Sequence, residues 1–554
     1  MRAESGAEFG ESEAGKIRSF SRPRDIAILF GISIFLVLCT RLPFVPRHLY
    51  SFDTVNMALA LTDFDPTRHQ PQPPGYPFFV AEARLLYPLF GTPERTFAVI
   101  GSLISGLALG MIYLLGSRMF SPGAGLAAAA LLFVNPVFWF SGLTSPLRPH
   151  LALVSILVAY CCWRSLQGES RYFYAASVAL GLGSGFRPEL LLLLFPLWVW
   201  TGWNCRGQKG RLSRGCLLLG VTALSWIIVV IIASGGFART LQTLSEYTFA
   251  QTEQTSVLLS PRSYLWLRSA ARAVLWSGLG AVPWLWAMPF GWLRWRQMTG
   301  GARYLGFLAL WFLPPFIFYL IVHIGDPDQT LSIIPILCLL GAFSLVAAEQ
   351  TIARKWIPEI KEMRGILIWI ALVGNLMLFF KPFILPEASP PGFRGLRSVK
   401  DLVLRATYES SYPRVMWVDQ MTVLGLQQVR NLKSSTNRPL VMFWAGNGVP
   451  VWRKLAFYLP SEKVYSLDEA GDPASPISMA QLWSGGTMLE KYSGTVPIQV
   501  PVPKEGRLIW IVGPGEASGL RQVVSLQDAP PVFYTDLPAD APSFRWGSFE
   551  FTPQ

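Results

Sequence analysis

Charged residues are scarce in this chain. Asp, Glu, Lys and Arg make up 15% of its 554 residues, against about 25% in a typical soluble domain. Apolar residues make up 51%, and the mean hydropathy is +0.37. A soluble protein cannot hide so much apolar surface behind so few charges. The composition excludes disordered, collagen-like and disulfide-stapled chains and indicates a polytopic α-helical membrane protein.

Cysteine and histidine are also scarce. None of the six cysteines lies after residue 338, so the C-terminal part has no disulfide framework. Cys205 and Cys216 flank a basic loop, but no further Cys or His follows at zinc-site spacing. No tight metal-ligand spacing unites the four histidines, so no metal residues are assigned, although a divalent cation stays open. The histidines are His48, His69, His150 and His323.

The net charge of +13 raises the question of nucleic acid, but no nucleic-acid motif is present. Basic loops on the cytoplasmic side of a membrane explain the same charge. Uncharged apolar runs, each able to hold one helix, predict about 11 transmembrane helices. The runs are 26–40, 96–117, 119–147, 149–163, 172–186, 190–205, 215–238, 273–293, 304–322, 329–348 and 365–380.

The loops between the predicted helices fall into two alternating sets, and one set is several times richer in Lys and Arg than the other. Because basic loops lie on the cytoplasmic side, this places the N-terminus in the cytoplasm and the C-terminus outside. We therefore expect a cytoplasmic tail (1–25), a transmembrane domain (26–383) with a long first outer loop (41–95), and an extracytoplasmic α/β domain (384–554). The last region has mixed charge and turn signals. Its strand-like runs are 439–444, 463–467 and 507–512.

The first outer loop carries the clearest signs of chemistry. Its segment Asp53–Leu61 reads as a short amphipathic helix lying at the membrane interface. Asp53 is either a cap of that helix or a catalytic base. Asp63 and Asp65 read as solvated turn residues. The run His69–Pro77 (HQPQPPGYP) is rich in proline and predicts a rigid element on the outer surface.

Two arginine triplets begin predicted helices on the same outer face. They are Arg148-Pro149-His150 and Arg187-Pro188-Glu189. Charged side chains at the ends of transmembrane helices often only extend to the membrane–water interface, without a further role. A guanidinium beside helix N-terminal amides also suits a phosphate. Arg262 adds positive charge in another long outer loop.

These features together resemble the GT-C glycosyltransferases, and most closely the bacterial relatives of the protein O-mannosyltransferases and of the lipid A aminoarabinose transferase. The residues that carry the resemblance, which covers roughly residues 20–350, are Ser51–Leu61, His69–Pro77 and the two arginine triplets. The later run 442–460, with Trp452-Arg453, resembles the outer domains of some relatives.

The resemblance implies an inner-membrane enzyme that moves a sugar from a polyprenyl-phosphate donor to a glycan, lipid or protein acceptor on the outer face. Its first-loop carboxylate maps to Asp53, with His69 as the next catalytic candidate. The substrate-binding candidates are Tyr76, Arg148, His150, Arg187, Glu189 and Arg262. The expected partners are the donor, the acceptor and membrane lipids, without nucleic acid.

Two positions depart from the family pattern. Many relatives have an acidic pair where Thr54 follows Asp53, and many have an Asp where His150 stands. The departures keep open a non-catalytic assembly protein with the same fold. A transporter or lipid flippase is the other alternative, although no internal repeat supports paired halves.

The topology can be tested with reporter fusions. We expect a reporter fused after residue 390 to be extracytoplasmic and a reporter inserted near Gln208, in a strongly basic loop, to be cytoplasmic. Accessibility labelling in intact cells reads out both positions. Finding the two reporters on the same side would contradict the eleven-helix topology.

Overall fold

The computed structural model describes residues 22–205, 210–258, 264–298, 301–355, 365–381, 399–446, 448–470, 479–485, 487–491, 496–512, 521–522 and 532–554. Two compact units emerge from its internal contacts. The first comprises Met1–Val45, Phe97–Trp226 and Phe249–Pro413, and the second comprises Pro46–Thr96, Ile227–Thr248 and Arg414–Gln554. Residues 1–21 of the predicted cytoplasmic tail (1–25) lie outside the described residues. The predicted domain boundary at 383/384 also lies outside them.

Helices make up most of the described residues up to 434. They are α1 Pro23–Arg41, α2 Phe52–Leu59, α3 Pro77–Phe90, α4 Pro93–Met119, α5 Pro122–Val134, α6 Pro136–Thr144, α7 Pro149–Leu166, α8 Arg171–Phe186, α9 Glu189–Asn204, α10 Arg211–Ala233, α11 Phe237–Thr255, α12 Tyr264–Gly278, α13 Met288–Arg296, α14 Gly301–Ile321, α15 Ile334–Lys355, α16 Ile366–Phe380, α17 Val399–Glu409 and α18 Tyr412–Ser434. A 3-10 helix, Leu279–Ala287, joins α12 to α13.

Among the described residues, seven helices are long and apolar enough to cross a membrane, or eight if the bent pair α5–α6 is one span. Helices α8 and α9 have 16 residues each, and α16 has 15. These three correspond to predicted runs but are shorter than a full span of about 20 residues. The polytopic helical fold is confirmed, and the count of eleven stays a prediction.

The predicted run 119–147 is not one straight helix. Helices α5 and α6 meet at a bend of 55°. Asn135 ends α5 and caps α6, because its Oδ1 accepts hydrogen bonds from the backbone amides of Val137 (3.0 Å) and Phe138 (3.2 Å). Pro136 at the next position has no amide to continue α5. An Asn-Pro pair therefore breaks the helix inside an apolar run.

The second unit contains two sheets. The strands are β1 Leu440–Ala445, β2 Lys463–Ala470, β3 Met479–Ser484, β4 Thr487–Lys491, β5 Ile498–Val502, β6 Arg507–Ile511, β7 Arg521–Gln522, β8 Phe533–Asp536, β9 Phe544–Trp546 and β10 Phe549–Pro553, and helix α19 (Trp452–Tyr458) joins β1 to β2. Seven strands lie in the order β4-β3-β2-β1-β6-β8-β7, and β1 pairs in parallel with β2 and β6. The three predicted strand-like runs form β1, β2 and β6.

Alternation along the strands divides the core of this unit into two layers. Met442, Ile509 and Ile511 pack with α18 and α19 on one face of the large sheet. Phe443 and Trp510 pack on the other face against the small sheet β5-β10-β9. The C-terminal region is an α/β fold, as the sequence indicates.

The ion pair between β6 and β8 gives a stability prediction. The Arg507 guanidinium donates to both carboxylate oxygens of Asp536, at 2.7 and 2.8 Å, and also to the backbone oxygen of Leu432. We expect Arg507→Gln to destabilise the unit by about 2 kcal/mol, because hydrogen bonds of charged groups are lost. Thermal denaturation of the purified protein measures the effect.

Arg438→Gln is the matched control. Arg438 is exposed, and its side chain donates one hydrogen bond among the described residues, to the backbone oxygen of Leu537 at 2.9 Å. Its substitution should change stability by less than about 0.5 kcal/mol. Equal melting temperatures for both variants would show that the Arg507–Asp536 pair contributes nothing.

Candidate functional site

Helix α2 begins with a capping box. The Ser51 hydroxyl accepts a hydrogen bond from the Thr54 amide (3.2 Å), and the Thr54 hydroxyl accepts one from the Ser51 amide (2.9 Å). The cap is therefore Ser51, and the interpretation of Asp53 as the cap is wrong. Asp53 is the second residue of the helix and is partly buried. Thr54, which departs from the family pattern, supplies the second half of the box.

The proline-rich run is buried rather than exposed on a surface. Gln70, Pro71, Gln72 and Pro73 all lie in the interior of the second unit. The prediction of an element on the outer surface is wrong in this respect, because these residues are buried.

Two candidate residues of this loop have left-handed backbone conformations. His69 has φ 56° and Tyr76, the N-cap of α3, has φ 44°. Gly75 between them has φ +106°, and a Cβ there would lie 2.8 Å from Cγ of Pro66. A left-handed backbone conformation at a non-glycine residue costs about 1–3 kcal/mol of folding free energy, and such residues concentrate at functional sites. The strain coincides with the residues that the sequence singles out.

The two acidic turn residues of the loop have ordinary local partners. Asp65 accepts hydrogen bonds from the amide and hydroxyl of Thr67, at 2.9 and 2.7 Å. Asp63 forms an exposed ion pair with Arg68 at 2.9 Å. Both act as turn residues, as the sequence indicates.

His69 lies between aromatic rings. Its ring centroid is 5.7 Å from that of Tyr247 and 5.6 Å from that of Trp483, both edge-on. Burial, and then the positive charge of Arg453, lower the pKa of His69 to about 4. The imidazole is therefore neutral at pH 7, and it is a weak base compared with an ordinary histidine.

Arg453 connects the C-terminal domain to this loop. Its Nε donates to Oδ1 of Asn56 at 2.8 Å, and its Nη2 donates to the backbone oxygen of Arg68 at 3.3 Å. Asn56 lies one helical turn after Asp53, and Arg68 precedes His69. The five residues Asp53, Asn56, Arg68, His69 and Arg453 form the loop cluster. No sequence pattern indicates the role of Arg453 beyond its place in run 442–460.

Further polar contacts hold the entrance of the loop. Asp419 of α18 accepts hydrogen bonds from the backbone amide (2.9 Å) and Nδ1 (3.0 Å) of His48. Burial raises the pKa of Asp419, but these hydrogen bonds outweigh it and leave the pKa lowered. The Tyr458 hydroxyl accepts from the Leu49 amide and donates to Glu94 at 2.7 Å.

In the first unit, the two arginine triplets meet carboxylates. Arg148 lies 3.4 Å from Asp328 through Nε and 3.6 Å from Asp326 through Nη2, whereas its buried Nη1 has no hydrogen-bond partner among the residues that the structure describes. Arg187 donates through Nε to Glu189 at 2.7 Å. Asp326 and Asp328 are not among the predicted site residues, although an acidic pair around Pro327 is a visible signal. Arg148, Arg187, Glu189, Asp326 and Asp328 form the arginine cluster.

Two histidines belong to the same part of the first unit. Burial lowers the pKa of His323 to about 4, with a counteracting effect of Asp326 and a further lowering by Arg148 and Arg187. His150 is buried, its Nδ1 lies 3.1 Å from the backbone oxygen of Leu147, and its ring stacks on Phe186 at 4.4 Å. His150 thus helps to pack α7 against the end of α8.

Arg262 lies outside the described residues. Within the described part of the chain, no group of three or more His, Cys, Asp or Glu side chains is arranged to hold a metal ion.

Comparison with known proteins gives one family match. Residues 71–232 match the family model of dolichyl-phosphate-mannose-protein mannosyltransferases. This segment includes most of the proline-rich run and both arginine triplets. No curated protein sequence matches the chain.

Solved structures resemble the whole chain. ArnT from Cupriavidus metallidurans bound to undecaprenyl phosphate is similar with a TM-score of 0.53 and 16% identity, over 93% of this chain and 98% of that one. Its apo state gives the same score and identity over 92% and 97%. An Archaeoglobus fulgidus oligosaccharyltransferase gives a TM-score of 0.42 and 13% identity, over 79% and 63%.

The chain therefore has the fold of the GT-C glycosyltransferase superfamily, and the resemblance seen in its sequence is confirmed. Its apolar helices and this fold make it an integral membrane protein.

The lowered pKa of His69 predicts how stability depends on pH. The folded imidazole has a pKa of about 4 against 6.5 for the ordinary group, so only the unfolded state binds a proton between these values. Stability should therefore fall as pH falls from about 6.5 to about 4, by at most about 1.4 kcal/mol per pH unit from this residue. His69→Asn, which tolerates the left-handed backbone, should flatten this dependence.

Melting temperatures measured from pH 4 to pH 7 test this prediction. His323, whose pKa is also lowered to about 4, should make a separate contribution. The double variant His69→Asn/His323→Asn should thus be flatter than either single variant. Identical slopes for wild type and His69→Asn would show that His69 titrates normally.

Proposed function

We propose that the protein transfers a sugar from a polyprenyl-phosphate donor to an acceptor on the outer face of the bacterial inner membrane. The observation that carries the proposal is similarity over nearly the whole chain to ArnT, a protein solved with undecaprenyl phosphate bound. The match of residues 71–232 to mannosyltransferases that use a lipid-phosphate sugar supports the same donor class. The acceptor is a glycan, lipid or protein of the envelope.

Asp53 is the proposed general base. In an inverting transfer, the acceptor oxygen attacks the anomeric carbon, its proton passes to the base, and the bond from carbon to phosphate oxygen breaks. The capping box of Ser51 and Thr54 starts α2 without help from Asp53. The Asp53 carboxylate is therefore not required for helix initiation, which supports a chemical role.

Arg148 is the proposed ligand of the leaving phosphate. The phosphate gains negative charge as the glycosidic bond breaks, so a fixed cation lowers the barrier. The buried Nη1 of Arg148 has no hydrogen-bond partner among the described residues and suits a phosphate oxygen. Arg187 is a weaker candidate, since its Nε and Nη2 both donate to Glu189, whereas Arg148 lies 3.4 and 3.6 Å from its two carboxylates. We assign Arg187 to holding the start of α9 in place.

The C-terminal α/β domain is proposed to help select the acceptor. A lipid-linked donor is positioned by its tail in the membrane, whereas a specific acceptor hydroxyl needs contacts beyond the membrane plane. A folded unit of two sheets offers such a surface.

The donor class can be tested directly. The purified protein is incubated with a panel of polyprenyl-phosphate sugars, and native mass spectrometry detects bound lipid. We expect at least one member to be retained and polyprenyl phosphate itself to compete with it. Retention of none of the panel would contradict the proposed donor.

The substitution Asp53→Asn tests the base. Asparagine keeps the shape of the side chain but cannot accept the proton, and loss of a general base costs about 10²–10⁴ in rate. We expect transfer to fall at least about a hundredfold, with the melting temperature and donor retention nearly unchanged. A transfer assay with the retained donor and an envelope extract as acceptor provides the measurement.

Asp63→Asn is the matched control. Asp63 lies in the same loop, and its ion pair with Arg68 is exposed, so this variant should keep most activity. Transfer by Asp53→Asn at the wild-type rate would remove Asp53 as the base.

A further inference from the structure

Arg453 is a buried cation for which the described residues provide no buried counter-ion. Its side chain is 1% exposed, and no carboxylate of the described residues lies within 4 Å of it. Burial, and then the charge of Arg68, lower the pKa of Arg453 to about 10. Isolating such a charge from water is costly. An apolar residue at this position would cost less, which suggests that Arg453 is retained for something other than stability.

Arg507 of the same unit shows the contrast. It is also nearly buried, but both oxygens of the Asp536 carboxylate accept hydrogen bonds from it. Arg453 instead donates to two neutral oxygens, one on an asparagine side chain and one on the backbone. Because the guanidinium is planar and rigid, its two hydrogen bonds fix the positions of these two acceptor oxygens relative to each other.

The acceptors belong to the two segments that carry the candidate catalytic residues. Asn56 is in α2, one turn after Asp53, so both face roughly the same side of the helix. The carbonyl of Arg68 directly precedes His69, whose backbone is left-handed. A single guanidinium thereby spans the segments on which Asp53 and His69 lie.

The amide of Asn56 supports the importance of this link. Its Oδ1 accepts from Arg453, which fixes the orientation of the amide, and its buried Nδ2 then finds no hydrogen-bond partner in the described part of the chain. Leaving a buried donor unsatisfied costs about 1–3 kcal/mol. The pairing with Arg453 is kept in spite of this cost.

We propose that Arg453 is a positioning residue for the transfer reaction: its two hydrogen bonds hold the Asp53 helix at a fixed distance from the His69 segment. The inference rests on the proposed function, in which Asp53 is the base. Arg453 acts through Asn56 and Arg68 and need not touch the substrate.

Arg453→Gln tests the proposal, since glutamine cannot make both bonds with the same geometry. The ring contact between Phe52 and Trp452, at 5.6 Å, remains to hold α2 against α19. We expect kcat to fall about 10- to 100-fold, because small misplacements of a base have effects of that size. The KM for the donor should stay within about twofold of the wild-type value, since Arg453 is not proposed to contact the donor and its loss should not weaken donor binding.

Two comparisons separate positioning from general destabilisation. Arg507→Gln removes a buried arginine of the same unit and should lower the melting temperature without changing kcat. Asn56→Ala removes the other end of the link, and the double variant Asn56→Ala/Arg453→Gln should lose no more kcat than the worse single variant. An equal fall of kcat in Arg507→Gln and Arg453→Gln, or independent losses in the double variant, would overturn the proposal.

Hydrogen exchange of the resting protein tests the link without any activity. In Arg453→Gln, peptides covering residues 52–60 and 64–72 should exchange faster than in wild type, whereas Arg507→Gln should leave them unchanged. If the wild-type protein transfers no sugar, the proposed function fails. Hydrogen exchange still tests whether Arg453 holds the Asp53 helix and the His69 segment in place. Unchanged exchange in Arg453→Gln would overturn the positioning role whatever the activity.

Discussion

The first long loop keeps its shape because residues from the far end of the chain hold it. Arg453 contacts Asn56, Asp419 contacts His48, and Tyr458 contacts Leu49. Each of these pairs is separated by more than 370 positions in the sequence. Joining residues so far apart in the chain costs loop-closure entropy, which these contacts and the packing around them must offset. The folded shape of the loop that carries Asp53 therefore depends on residues of the C-terminal domain.

This constraint explains which features the sequence could predict. Local patterns were sufficient for the apolar helices, for β1, β2 and β6, and for the short helix around Asp53, because hydrophobic period and turn residues act over a few positions. The pairing of Asn135 with Pro136 was also local, but its effect was hidden inside a uniformly apolar run. The burial of the proline-rich run was not predictable, since it depends on side chains such as Trp483 from the far domain.

The same reasoning applies to the candidate site. The sequence supplied Asp53, His69, Arg148 and Arg187 by residue type and resemblance. It did not supply their partners, because an ion pair such as Arg148–Asp328 depends on how helices pack. The partners differ: Nε and Nη2 of Arg187 donate to Glu189, whereas the buried Nη1 of Arg148 has no hydrogen-bond partner within the described part of the chain. Two triplets that look alike in sequence therefore differ in their hydrogen bonding.

Thr54 shows how a departure from a family pattern can have a structural cause. A second acidic residue there could not both donate to and accept from Ser51 as the threonine hydroxyl does. With Thr54, the helix start is satisfied by neutral groups, and Asp53 has no carboxylate beside it in the chain. The departure at Thr54 therefore leaves the start of α2 independent of the Asp53 side chain.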